Sequence, residues 1–212
     1  SINSEIVDRD KKWLEYKLSL LTRPQVYSAL SHPDLSLINT TTSGKRFEVI
    51  KNELGLKNGT LIDIGSDWGY YCHKFEELNF KCYAVENDPE SIYHMKRLKT
   101  AQSRKFSIID KNIFTYSKDK LKFDVVLAFS IFHHFLRTEN NYRLLVNLLK
   151  NLEMKEMYFM SYLPSDEKNP YAYKSFEPDE FVEFIIENSV LNNKKLLRYD
   201  SFRNRPLYKL TV

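Results

Sequence analysis

The chain has 212 residues, a net charge of +4, and 42% hydrophobic and 28% charged residues. That length suits one domain able to bury its own core, and the mild basic excess is too small to mark a nucleic-acid binder by itself. No apolar run approaches the roughly 18 residues of a membrane span, and the first ten residues lack the apolar core of a secretion signal.

Cys72 and Cys82 lack metal-ligand spacing and read as reduced core thiols of a cytoplasmic protein. In chain order, Ile6, Val7, Trp13, Leu14, Lys17, Leu18 and Leu21 share one face of a helix predicted over 4–21, which Thr22-Arg23-Pro24 ends. A short helix is predicted over 25–30, before His32-Pro33. Thr40 to Gly44 is a turn or linker, and Phe47, Ile50 and Leu54 give a helix that Gly55 closes. Residues 1–55 are too few for a core of their own, so they are expected to form a helical lid on a domain of residues 56–212.

From residue 60 the pattern alternates. Strands are predicted near 60–64, 81–86, 105–109, 123–129, 155–161, 194–200 and 206–212, and helices near 69–78, 89–99, 139–152 and 178–190. Asp88-Pro89 supplies an N-cap and a proline at the first helical position. Val125 to Phe129 is apolar on both faces, as a central parallel strand requires. Tyr208 to Val212 alternates like an edge or antiparallel strand. The expected fold is an α/β sheet.

One stretch is more informative than the rest. Thr60-Leu61-Ile62-Asp63-Ile64 runs into Gly65-Ser66-Asp67-Trp68-Gly69, which holds two of the chain's five glycines, and a helix follows. The next apolar run, Cys82 to Val85, ends on Glu86. Strand, glycine turn, helix, strand and acid form the nucleotide-binding half of a doubly wound fold. A nicotinamide site wants a third glycine where Cys72 stands, and the Gly-Lys-Ser/Thr ending of a phosphate-binding loop is absent.

The Asp63-x-Gly65-x-x-x-Gly69 pattern resembles the first motif of class I S-adenosylmethionine-dependent methyltransferases, with Asp67 in place of the middle glycine. That resemblance implies a Rossmann-like, mostly parallel seven-stranded sheet with helices on both faces and S-adenosylmethionine as cofactor. It implies that Gly65, with Ser66, Asp67 and Gly69, lets backbone approach the methionine part, and that Asp63 accepts from its ammonium. Glu86, next to Asn87, would accept both ribose hydroxyls. Asp110 is the candidate contact to the adenine amino group or a capped turn, with Lys111 and Asn112 as replacements if the register slips.

The run Phe123 to Ser130 followed by Ile131-Phe132-His133-His134 resembles the family's fourth strand and the segment after it. Ser130 is expected to touch cofactor through its backbone. His134, more than His133, is the candidate base. Short pieces elsewhere (His32-Pro33-Asp34, Arg46 to Lys51, Arg205 to Tyr208) resemble the methyltransferase domain of bifunctional kinase–methyltransferases that terminate bacterial O-antigen polysaccharides. No kinase signature accompanies them. By that resemblance Arg46 clamps the cofactor's carboxylate.

Transfer from a sulfonium is an in-line displacement, so positioning dominates. A hydroxyl acceptor would need a base, whereas a phosphate would need only donors such as Tyr71, Tyr162, Arg203 and Arg205. The basic residues Lys194, Lys195, Arg198, Arg203, Arg205 and Lys209 form either an anchoring rim or a solvated edge. The expected activity is methylation of an oxygen on a small polar or glycan acceptor, in the manner of polysaccharide biosynthesis. The alternatives are an RNA methyltransferase and a non-catalytic binding protein that kept the fold.

Overall fold

The computed structural model describes residues 2–19, 26–42, 44–117, 120–166, 171–201 and 203–212. Seven strands form the main sheet: β1 (Gly59–Ile64), β2 (Phe80–Glu86), β3 (Ser107–Asp110), β5 (Val125–Phe129), β7 (Glu156–Met160), β8 (Asn193–Tyr199) and β9 (Pro206–Thr211). Two short strands, β4 (Leu121–Lys122) and β6 (Leu152–Glu153), pair with each other in a separate parallel ladder. The helices are α1 (Ile2–Ser19), α2 (Lys45–Glu53), α3 (Tyr70–Glu76), α4 (Pro89–Ala101), α5 (Ile113–Tyr116), α6 (Glu139–Asn151) and α7 (Pro178–Glu187).

The order across the sheet is β3-β2-β1-β5-β7-β9-β8, with β9 running opposite to the other six strands. This is the expected mostly parallel α/β sheet of the Rossmann-like methyltransferase fold. Strand order reverses between β1 and β5. In open α/β sheets such a switch point opens a crevice at the carboxyl ends of the strands. Here those ends carry Gly65 on one side and Ser130 on the other.

The side-chain period of 2 along each strand builds two core layers. Ile62, Ile64, Val126, Ala128 and Phe159 pack on one face with Leu145 and Leu149 of α6 and Phe181 and Ile185 of α7. Leu61, Val125, Leu127 and Tyr158 pack on the other with Phe47 and Ile50 of α2 and Phe75 of α3. Asp63 shares the parity of Leu61 and so faces the α2/α3 layer. Asp88 caps α4 as its sequence requires, accepting from Ser91 N at 2.8 Å.

Several expectations are corrected. Residues 26–30 are not helical: Val26 instead bridges Thr40, with Thr41 N donating to Val26 O, so the segment folds back on itself. The end of the first helix at Thr22-Arg23-Pro24 lies outside the described residues. Trp13, assigned to the buried face of α1, is 45% exposed, while Leu14 is buried with Trp68, Leu98 and Leu35. The strand predicted over 123–129 is shorter, because Leu121–Lys122 joins the small ladder and Asp124 turns to bond Thr60. β9 is antiparallel but not an edge: it lies between β7 and β8, and its outward positions are half covered. Among the described residues no helix is long and apolar enough to cross a membrane.

Candidate functional site

The turn after β1 is held by backbone: Gly65 N and Ser66 N both donate to Val85 O, at 2.9 and 3.1 Å. Gly65 has φ +74°, and a Cβ there would sit 3.1 Å from the Ile131 side chain. Gly69 has φ +78° and starts α3. Asp67, in the place of the family's middle glycine, has φ +48°, a left-handed conformation that aspartate tolerates better than most residues. Its carboxylate accepts from Ser28 Oγ at 2.5 Å and Ser91 Oγ at 2.8 Å. Both oxygens are therefore hydrogen-bonded, and Asp67 ties the N-terminal segment and α4 to the turn.

On one side of the turn lies a small cavity walled by Ser28, Arg46, Asp63, Ser66, Tyr71 and Phe129, among others. Asp63 is 2% exposed, and its Oδ2 has no hydrogen-bond partner. Burial, reinforced by the Glu86 and Asp67 charges, raises its pKa to about 8 despite nearby Arg46. Arg46 Nη2 and Nε reach Asp200 Oδ2 at 2.9 and 3.3 Å, and Nη1 donates to Tyr71 Oη at 3.2 Å. Its guanidinium also lies 5.2 Å from the Phe129 ring centre. Burial pushes the Tyr71 phenol up, so it stays a neutral donor.

On the other side a second cavity is lined by Ile64, Glu86, Asn87, Lys111, Asn112 and Ile131, with further apolar residues. Glu86 Oε1 accepts from Asn87 N and Asp88 N at 2.8 and 2.9 Å, and Oε2 from Asp67 N at 2.9 Å. A carboxylate offers about four acceptor sites, so these bonds leave Oε2 one open site rather than the pair expected for two hydroxyls. Asp110 is not brought into this cavity. Its exposed carboxylate faces Lys96 at 3.7 Å, and the chain turns so that Lys111 and Asn112 line the wall. Asn112 Oδ1 also caps α5 through Phe114 N.

The segment after β5 reaches a third cavity. Ser130 has φ +56° and donates its N–H to Met160 O at 2.7 Å. A 3₁₀ turn, Phe132–Leu136, follows. His133 is buried and lies 3.8 Å from the Tyr162 ring at an interplanar angle of 16°, with the His134 ring also at 3.8 Å. It is His133, not His134, that lines this cavity, beside Ser161, Tyr162, Lys174 and Ser175. Burial and the neighbouring positive groups lower the His133 pKa to about 2.

Arg205 is 2% exposed, sits 3.6 Å over the Tyr162 ring centre and pairs with Asp166 at 2.9 Å. Arg203 pairs with the other oxygen of Asp166 at 3.1 Å. The rest of the basic edge is also largely taken up: Lys194 pairs with Glu183, Lys195 with Glu53, and Lys209 with Glu156.

Residues 62–153 match the family model of a methyltransferase domain. Residues 62–153 thus carry a methyltransferase domain, set in the Rossmann-like fold of class I methyltransferases. Its fold is similar to that of the bifunctional kinase–methyltransferase WbdD, at 17% identity and a TM-score of 0.69 over 93% of this chain and 46% of that one. It is similar to the N-methyltransferase NodS from Bradyrhizobium japonicum WM9, at 14% identity and a TM-score of 0.59 over 79% and 93% of the two chains. It is also similar to magnesium protoporphyrin IX methyltransferase from Synechocystis PCC 6803, solved with bound SAM, at 9% identity and a TM-score of 0.56 over 78% and 74%. The chain thus spans about half the length of WbdD. A comparison with curated proteins found no match.

The open acceptors beside the turn fit the ammonium and hydroxyl groups of an adenosyl amino acid. An ammonium would satisfy the buried Asp63 oxygen, and Glu86 keeps an acceptor site towards the second cavity. Sequence reasoning missed Ser28, Asp200, Ser161, Lys174 and Ser175. Ser28 and Asp200 act through long-range contacts, and the last three lie on loops without a motif.

Proposed function

We propose that this domain uses S-adenosylmethionine to methylate an oxygen on a polar acceptor, a glycan or its terminal phosphate. The observation that carries the reading is the unsatisfied, buried carboxyl oxygen of Asp63 at the switch point, flanked by the Glu86 cavity. When bound, the cofactor supplies a methyl group on a sulfonium, activated for in-line displacement. Asp63 binds the ammonium, Arg46 the carboxylate, Glu86 a ribose hydroxyl, and Lys111 or Asn112 the adenine edge. Gly65, Ser66, Asp67 and Gly69 shape the backbone turn, with Asn87 and Ser130 beside the ligand.

Arg46 already holds Asp200 and Tyr71, so it is preorganised for a carboxylate and exchanges part of that network on binding. Residues 1–55 act as a lid, a reading supported by Ser28 and Arg46 lining the cavity. His134 is the base for a hydroxyl acceptor, since a ring with a pKa near 2, as in His133, takes up protons poorly at neutral pH. Tyr71 and Tyr162 line the acceptor path, and Arg203 and Arg205 hold it in shape through Asp166. The setting is cytoplasmic polysaccharide biosynthesis.

Calorimetric titration with S-adenosylmethionine and S-adenosylhomocysteine, with NADH as control, tests the cofactor. Micromolar binding of the first two alone supports the reading, and no binding of either overturns it. His134→Ala then separates acceptors: a large rate loss with cofactor affinity intact points to a hydroxyl, a small one to phosphate.

A further inference from the structure

The third cavity, of about 230 Å³, lies between the turn at 132–136, the end of β7 and residues 172–176. Its size suits a small head group rather than an extended ligand. Phe176, Phe181, Leu136 and Tyr162 form apolar walls, and Ser161 and Ser175 add hydroxyls. Lys174 also lines it, and among the described residues no carboxylate does.

His133 is 7% exposed, and neither ring nitrogen has a hydrogen-bond partner. A buried polar atom left unpaired is costly, and such atoms in native proteins call for an explanation. Stacking on Tyr162 fixes the ring plane. Burial, and after it the charges of neighbouring groups, favour the neutral form of the ring. Lys174 is the cation at the cavity wall, and the imidazole beside it carries no charge.

The chain also connects this cavity to the other two. Phe129 lines the Asp63 cavity, Ile131 the Glu86 cavity, and His133 this one. Three alternate residues of one segment thus border all three spaces.

We propose that this cavity binds an oxyanion carried by the methyl acceptor, a phosphate or sulfate ester. His133 serves as a neutral hydrogen-bond donor, Lys174 as charge partner, and Ser161 and Ser175 as further donors. His133 is then a specificity-determining residue, not a base. That the ligand is the acceptor rests on the methyl-transfer reading, whereas the anion site itself does not.

The test follows the His133 ring nitrogens by long-range ¹H–¹⁵N NMR during titration with phenyl phosphate, phenyl sulfate and phenyl β-glucoside. The expected result is saturable movement of the His133 signals with one or both esters and none with the glucoside, the stronger ester naming the source. Lys174→Met weakens that binding roughly tenfold or more, as loss of a charge-assisted hydrogen bond would, and Lys174→Arg restores most of it. In His133→Phe, which keeps the stack, the backbone amide signals of Lys174 and Ser175 no longer respond to anions.

Equal binding of the glucoside, unmoved His133 signals, or an unchanged affinity in Lys174→Met would each overturn the proposal. S-adenosylhomocysteine titrated into the same samples reads the cofactor separately. Anion binding without nucleotide binding would sink the methyl-transfer reading and leave the anion site standing.

Discussion

Asp63 and Glu156 are both carboxylates buried in the central sheet, at opposite ends of it. Asp63 stands at the carboxyl end of β1 with one oxygen unpaired. Glu156 stands at the start of β7 and is fully engaged: it accepts from Gly55 N at 2.9 Å and Tyr158 Oη at 2.9 Å, and Lys209 Nζ lies 3.4 Å away. Burial costs each group hydration, but only Glu156 is compensated by protein partners. The amino-terminal edge of the sheet is sealed, and the carboxyl edge keeps donors and acceptors open. The contrast separates a carboxyl group that holds the fold together from one that keeps an open oxygen.

The largest expected effect lies on the sealed side. Glu156→Ala strands the Tyr158 hydroxyl, leaves Lys209 with only the Glu53 carbonyl, and should cost about 3–5 kcal/mol in urea unfolding, with S-adenosylhomocysteine affinity of the folded fraction near the parent's. A variant that stays stable but loses the nucleotide would break the contrast.

Asp63→Asn should do the reverse, lowering nucleotide affinity by about 1.5–3 kcal/mol with little loss of stability. Its pH dependence sharpens the point. The folded Asp63 carboxyl holds its proton up to about pH 8, whereas the unfolded one releases it near 4. The folded state therefore binds more protons between those values, so this group's contribution falls as pH rises from about 4 to about 8 and is level beyond. The stability of the parent minus that of the Asp63→Asn variant, measured across that window, should show the decline. Nucleotide affinity should rise over the same range towards pH 8, because an ammonium partner requires the ionised form, and the variant should be flat.

Glu86→Ala should cost about 1–3 kcal/mol of nucleotide affinity. An unchanged affinity would remove Glu86 from the ribose role. The smallest effect is expected for Asp110→Ala, which loses an exposed pair with Lys96 and should change stability and affinity by under about 0.5 kcal/mol. A larger loss of affinity would return Asp110 to the site.

Much of this is legible in order along the chain. Gly65 and Gly69, four apart after an apolar strand, announce a turn with positive φ, and Asp88-Pro89 announces α4. The two histidines are legible as a pair, but which one faces the cavity depends on the 3₁₀ turn at 132–136, whose short hydrogen-bond period leaves little trace in sequence. Asp67 stands out in the sequence as a departure that puts the site in doubt. Its harmlessness depends on Ser28 and Ser91, 39 and 24 residues away. The extended return of residues 26–40 is not legible, because a single bridge leaves no periodic pattern.

The sequence by itself determined the strand–turn–helix alternation, the glycine turn, the acid after β2 and the family that they resemble, because hydrophobic period and backbone torsion preferences are local. Tertiary structure decided which of these groups stay unsatisfied. Arg46 meets Asp200 across 154 positions, Arg205 meets Asp166 across 39, and β9 slots between β7 and β8. Whether a buried charge is sealed or left open for a ligand depends on such distant partners, and no local pattern encodes them.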